Sequence, residues 1–108
     1  MRASEIFTNC ENGNNVIFLP SIVIAEALSI FDKKRISFDF KKLFARVHSS
    51  ENFVIIPLDY PILQKMVELK DVPELHDKII VSSARYLNLP VITKDETLHR
   101  LALVKTIW

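Results

Sequence analysis

Residues 76–96, HDKIIVSSARYLNLPVITKDE, are the most informative stretch of the chain. Their pattern predicts a helix, a tight turn at LNLP and a short apolar strand. Asp77 stands where the helix begins, and Asp95 stands where the strand ends. A helix that leads into a strand of a parallel sheet runs antiparallel to that strand. We therefore expect both aspartates at the carboxyl edge of the sheet, where ligands of such sheets bind.

The rest of the chain continues this alternation of short apolar strands and helices. The strand runs are continuously apolar, which is typical of strands covered on both faces, so the pattern predicts an α/β fold with a mostly parallel sheet. Gly13, Ser21 and either Ser37 or Asp39 are candidate helix caps. The predicted strands are 16–19, 52–58, 90–93 and 103–108, and the predicted helices are 4–11, 21–31, 39–48, 61–70, 77–88 and 96–102.

Composition bounds the class of protein. The 108 residues carry a formal net charge of +1, 49% hydrophobic residues and one cysteine, Cys10. This predicts one small globular domain, residues 1–108, with no internal disulfide and no thiolate zinc site. The apolar region 16–31 is interrupted by Pro20 and Glu26, and no secretory signal is visible, so we expect a cytoplasmic protein without a membrane span.

Glu26 is the third acidic candidate. It is the only charge in SIVIAEALSIF, a helix that is apolar nearly all round and is therefore predicted to be buried. An ionised carboxylate in that setting is costly without a partner. The helix follows a predicted strand through a short turn, so its first turns are also expected near the carboxyl edge. The alternative places Glu26 on the helix edge, in solvent or paired with Lys33.

Three carboxylates drawn together repel one another, and a hard divalent cation removes that cost. Mg²⁺ or Mn²⁺ takes oxygen ligands, and it can assist hydrolysis of a phosphodiester. The alternative is that Asp77 and Asp95 are only helix caps or turn residues. Ser82 and Ser83 lie in no nucleophile-elbow motif, and no glycine-rich phosphate loop occurs, so other hydrolase and nucleotide-binding classes are not supported.

Three segments together resemble the PIN domain, above all the toxin ribonucleases of toxin–antitoxin pairs. They are LPSIVIAEAL (19–28), LDYPILQKMVELKDVPELHDKIIVSSARYLNLPVITKDETL (58–98) and VKTIW (104–108). The resemblance implies a three-layer α/β/α fold and Mg²⁺- or Mn²⁺-dependent endoribonuclease chemistry. It implies that Glu26, Asp77 and Asp95 are catalytic, metal-binding acids and that Thr93 is a polar residue beside them. It also implies RNA as substrate, an antitoxin partner and a homodimer.

One feature of the family is absent. PIN domains begin with a strand that carries a further metal-binding aspartate, and this sequence starts in what should be the next helix. We expect an N-terminally truncated PIN-like domain, closure of strands 16–19 and 91–93 onto each other, or a strand supplied by another chain in a dimer. Because one acid is missing, the alternative function is a catalytically inactive PIN-like module that binds protein or RNA.

Overall fold

The computed structural model describes residues 2–108, which form six helices and four strands. They group into two compact units: unit 1 contains residues 2–8 and Leu58–Trp108, and unit 2 contains Asn9–Pro57. The helices are α1 (Ala3–Glu11), α2 (Ser21–Lys33), α3 (Phe40–Ser49), α4 (Tyr60–Glu68), α5 (Leu75–Leu87) and α6 (Glu96–Leu101). The strands are β1 (Ile17–Pro20), β2 (Phe53–Ile56), β3 (Val91–Ile92) and β4 (Thr106–Ile107).

Unit 1 is built around α5, which packs against α4 and against β3. Because it has neighbours on more than one side, its middle is buried nearly all round, at Ile79 and from Val81 to Ala84. Val81 belongs to an apolar cluster with Leu69 and Leu98, and the half-buried Leu103 and Val104 pack against that cluster. Residues distant in sequence therefore share one core within this unit.

The sequence of α5 explains both of its ends. Glu74 is the N-cap, and its side chain accepts a hydrogen bond from the backbone N–H of Asp77. The helix ends at Asn88, which adopts a left-handed conformation at φ 56°, and Leu89 N–H then donates to the Ala84 carbonyl. Asparagine tolerates this conformation better than most residues, so LNLP makes the tight turn expected from the sequence.

The two strands of unit 1 are parallel, with Val91 opposite Thr106 and Ile92 opposite Ile107. The ladder is bounded by bonds from Val91 N–H to the Lys105 carbonyl and from Thr93 N–H to the Ile107 carbonyl. Both strands are shorter than the sequence predicts, because only two residues of each are paired. The carboxyl ends of β3 and β4 consequently lie side by side.

Unit 2 contains a second parallel pair, β1 and β2, with Ile17 opposite Phe53. The buried Cys10 thiol donates to the Asn52 carbonyl, and the Asn52 side chain donates to the Cys10 carbonyl. Gly13 follows α1 at φ 80°, as expected for a left-handed cap. Asp39 caps α3 by accepting from the backbone N–H of Lys42, which confirms one of the two caps considered for this helix.

Helix α2 corrects two expectations. Pro20 rather than Ser21 is its N-cap, because Pro20 has the extended conformation of a capping residue and Ser21 is already helical. None of the residues of α2 is buried, although the sequence predicts a buried helix. Inside unit 2 the helix packs on β1, and apolar side chains such as Val23 and Leu28 are exposed. Glu26 is exposed as well.

Among residues 2–108, no helix is both long enough and apolar enough to cross a membrane.

Candidate active site

Asp95 lies just beyond the carboxyl end of β3 and is the N-cap of α6. Its Oδ1 accepts hydrogen bonds from the backbone N–H groups of Thr97, at 2.8 Å, and Leu98, at 3.3 Å. None of the described residues donates a hydrogen bond to Oδ2. One oxygen is therefore fixed by the fold, and the orientation of the other is fixed with it. The capping alternative considered for Asp95 is realised, and it leaves Oδ2 for a ligand.

A network of side chains holds the segment that carries Asp95. The Thr93 hydroxyl accepts a hydrogen bond from the backbone N–H of Asp95 at 3.0 Å. The His99 ring contacts the Thr93 carbonyl through Nε2, at 2.8 Å, and the Thr106 hydroxyl through Nδ1. His99 thus connects the first turn of α6 to both strands of unit 1, and the Thr93 hydroxyl lies beside the backbone of Asp95.

The partners of His99 assign its neutral tautomer. A carbonyl oxygen can only accept, so Nε2 carries the proton that is donated to Thr93. Nδ1 is then the acceptor for the Thr106 hydroxyl. The two ring nitrogens therefore have different partners, and each would respond differently to substitution.

Asp77 is the third residue of α5, two positions further into the helix than the sequence predicts, and it is half-buried. The N-cap alternative for Asp77 is wrong, since Glu74 occupies that position. Bonding to the Asp77 backbone N–H, and then to the His76 ring, holds the pKa of the exposed Glu74 carboxyl below its ordinary value. The Asp77 carboxylate is therefore not the N-cap of α5, although Asp77 lies in the first turn of the helix.

The lengths of α5 and of the following strand segment place Asp77 and Asp95 at similar distances from the turn that joins the two segments. From Leu87 back to Asp77 the helix rises about 15 Å, at 1.5 Å per residue. From Pro90 forward to Asp95 the chain covers at most about 17 Å, at 3.3 Å per residue, and somewhat less because Asp95 N–H bonds back to the Thr93 hydroxyl. Both segments start at the same turn, so both aspartates come to the same end of the α5–β3 pair.

A comparison with protein-family models matches the chain to the PIN domain over residues 2–104. The chain belongs to the PIN domain family. PIN domains are generally nucleases that use divalent metal ions, and they commonly bind RNA. Neither a comparison with curated proteins nor one with solved structures finds a significant match.

Membership of the PIN family confirms the predicted fold class, a three-layer α/β/α arrangement with short parallel strands. All strand pairs of the described residues are parallel, as expected. Of the three acids predicted from the resemblance, Asp77 and Asp95 lie in unit 1, while Glu26 lies on α2 of unit 2.

The donor chemistry of these acids suits a hard divalent cation, because Mg²⁺ and Mn²⁺ prefer carboxylate oxygens and accept waters for their remaining positions. The sequence predicts three carboxylate ligands, and a single unit contains fewer. Within neither unit do the residues from 2 to 108 bring together three His, Cys, Asp or Glu side chains able to hold a metal ion. Unit 1 thus offers two acids of suitable chemistry and not a complete set of ligands.

Two residues near this site were missed by sequence analysis. Nothing in the sequence analysis distinguished His99 from the other two histidines of the chain. Its position four residues after Asp95, one helical turn from the cap, was the available signal. Glu74 gave no signal, since glutamate is not a favoured N-cap and the apparent helix start lay later. Both act on the segments that carry the two aspartates.

Proposed function

We propose that this PIN-family chain is a Mg²⁺- or Mn²⁺-dependent endoribonuclease of the toxin type, acting as a single domain in the cytoplasm. Asp77, Asp95 and Glu26 are its metal-binding acids, and Thr93 supports Asp95. The observation that carries the proposal is the Asp95 carboxylate, whose Oδ1 is held by two backbone amides at the carboxyl end of β3 in a chain that matches the PIN domain.

Asp95, Thr93 and Asp77 have different roles in this proposal. Hydrogen bonds to Oδ1 fix the direction of Oδ2, and the Thr93 hydroxyl fixes the backbone of Asp95. A ligand carboxylate that is itself hydrogen-bonded is pre-organised and binds metal more tightly. The first turn of α5 presents Asp77 at the same end of the unit. A bound Mg²⁺ or Mn²⁺ supplies an activated water and neutralises charge on the phosphate.

The test is cleavage of a single-stranded RNA labelled with a fluorophore and a quencher, at increasing Mn²⁺. We expect cleavage that needs the metal, is abolished by EDTA and is lost in Asp77→Asn, Asp95→Asn and Glu26→Gln. Asp71→Asn is the matched control, because Asp71 is an exposed acid in the loop before α5. Absence of cleavage by the wild type at every Mn²⁺ concentration refutes the activity. Cleavage that persists in all three variants would indicate a contaminating nuclease.

A catalytically inactive PIN-like binding module is the second candidate. It is favoured by the absence, within either unit of the described chain, of a group of three potential ligands. The module would bind RNA or protein without a metal. Thermal melting with and without Mn²⁺ separates the two candidates, because a ligand that binds only the native state raises the melting temperature.

An antitoxin partner and a homodimer, with strand exchange as one form, belong to the same proposal and follow from the toxin-type resemblance alone. Size-exclusion chromatography with light scattering of the purified chain tests the dimer. A monomer at every concentration would remove the dimer from the proposal without affecting the nuclease assay.

A further inference from the structure

Trp108 and Lys94 form an exposed aromatic and cationic pair next to Asp95. Trp108 is 60% exposed, although tryptophan is a large residue that is usually well covered. The Lys94 ammonium lies over the indole, with Nζ 5.9 Å from the ring centroid. Neither residue takes part in the apolar cluster of unit 1. The pair is therefore available at the surface.

The strand register brings these two residues together. The last ladder bond joins Thr93 N–H to the Ile107 carbonyl, and Lys94 and Trp108 directly follow the two residues that this bond joins. Asp95 follows Lys94 directly. The indole, the ammonium and the candidate catalytic carboxylate thus lie on one edge of the same two-stranded sheet, and this edge is the site described above.

This combination has a specific chemistry. Proteins that hold single-stranded nucleic acids stack bases on aromatic side chains and meet the backbone with positive charge. Every base has a flat face that can stack on an indole, so such a contact tolerates different sequences. A lysine whose ammonium lies over the ring can turn on its flexible stem to reach the phosphate that is joined to the stacked base.

We propose that Trp108 and Lys94 form a nucleotide subsite, in which a base of single-stranded RNA stacks on the indole and its phosphate pairs with the ammonium. The inference rests on the proposed function, because it takes RNA as the ligand. It goes further by naming the residues that hold the nucleotide beside Asp95. Stacking there fixes one nucleotide of the strand relative to the acids, so it orients the neighbouring phosphodiester bond.

The chain offers a direct probe, because Trp108 is its only tryptophan. Binding is followed through intrinsic fluorescence, with a short oligouridylate titrated into the full chain in EDTA, where metal-dependent cleavage does not occur. We expect saturable quenching of the fluorescence. An abasic oligomer of the same length and charge should quench much less, because it has phosphates but no bases to stack.

Substitutions test the two contacts separately, with affinity followed by anisotropy of a labelled oligouridylate. Trp108→Leu should raise Kd at least about fivefold, the lower end of the effect of losing one stacked base. Trp108→Phe keeps a ring and should restore most of the affinity. Lys94→Gln should raise Kd, and it should reduce the slope of log Kd against log salt concentration by about one, the loss of a single phosphate contact. Lys105→Gln should change neither the Kd nor this slope. Lys105 is the matched control, since it is exposed and precedes β4 at the opposite end.

The outcomes are distinguishable from those of the nuclease assay. Quenching by oligouridylate together with loss of affinity in Trp108→Leu supports the subsite, whether or not the wild type cleaves RNA. No quenching, equal quenching by the abasic oligomer, or unchanged affinity in Trp108→Leu overturns it, even if Mn²⁺-dependent cleavage is observed. Thermal melting of each variant verifies that the fold is retained.

Discussion

Substitution of Asp95 separates its role in the fold from its role in the chemistry. Oδ1 accepts from two backbone N–H groups of α6, and an alanine at this position would leave both to solvent. Loss of an N-cap side chain costs about 1 kcal/mol, within a range of about 0.5–2 kcal/mol. The upper half of this range applies here, because Leu98 of the same turn is only 3% exposed and belongs to the apolar cluster of unit 1.

We therefore expect Asp95→Ala to lower the free energy of unfolding by 1–2 kcal/mol, which is about 5–10 °C in melting temperature for a domain of this size. Asp95→Asn and Asp95→Ser retain a side-chain acceptor, so both should stay within about 0.5 kcal/mol of the wild type. All three variants lose the carboxylate, and all three should lose Mn²⁺-dependent cleavage and the Mn²⁺-dependent rise in melting temperature.

Urea unfolding in EDTA measures the cap, and melting with increasing Mn²⁺ measures the ligand. The m-value should be the same in all four proteins, since the surface exposed on unfolding does not change. If Asp95→Ala unfolds with the wild-type midpoint, the capping energy derived from the structure is wrong. If Asp95→Asn still cleaves RNA at the wild-type rate, Asp95 is a cap only, and the proposed role in metal binding is refuted.

Three further predictions concern side chains of unit 1. Ser82→Ala should leave the free energy of unfolding unchanged or raise it by about 1 kcal/mol, because the buried Ser82 Oγ has no hydrogen-bond partner among the described residues. Ser83→Ala removes a hydrogen bond to a backbone carbonyl and should lower the free energy of unfolding by a similar amount. Urea unfolding measures both changes. His99→Phe should raise the Mn²⁺ concentration for half-maximal cleavage by about tenfold or more. His99→Gln keeps a donor for the Thr93 carbonyl, so its half-maximal Mn²⁺ concentration should stay close to that of the wild type. Equal effects of the two substitutions would refute this positioning role. Since the folded state lowers the pKa of Glu74, its stabilising contribution is full above the ordinary pKa and is lost as pH falls through the lowered one; the difference in unfolding free energy between wild type and Glu74→Gln should shrink between pH 6 and pH 3.

Local patterns predicted most of the helices and strands. The segment from α5 to Asp95 was predictable because apolar spacing, a left-handed turn at Asn88 and a short apolar strand follow one another without interruption. The Asp39 cap was predictable for the same reason, since its acceptor and the N–H that it binds lie three residues apart. The strand ends were less predictable, because pairing partners rather than propensity set the length of β3 and β4.

Contacts between distant residues explain what the sequence did not predict. Hydrophobicity indicates what α2 could bury, but it does not identify a neighbour that covers the helix, so the predicted burial was wrong. The role of His99 depends on Thr93 and Thr106, which lie six and seven residues away on opposite sides of it. Such bridges become visible only when the strand register is known.

The Asp95 carboxylate also shows why capping and ligand roles need not exclude each other. A carboxylate has two oxygens, and a helix cap needs only one of them. Because Oδ1 is committed to two backbone amides, rotation of the carboxylate about its bond would break both, so the direction of Oδ2 follows from the fold. An acid held in this way loses less entropy when it binds a cation than one on a mobile side chain, and its negative charge is also favourable near the positive end of the helix. The position where the strand ends and the next helix begins can therefore supply both a structural contact and a ligand from a single residue.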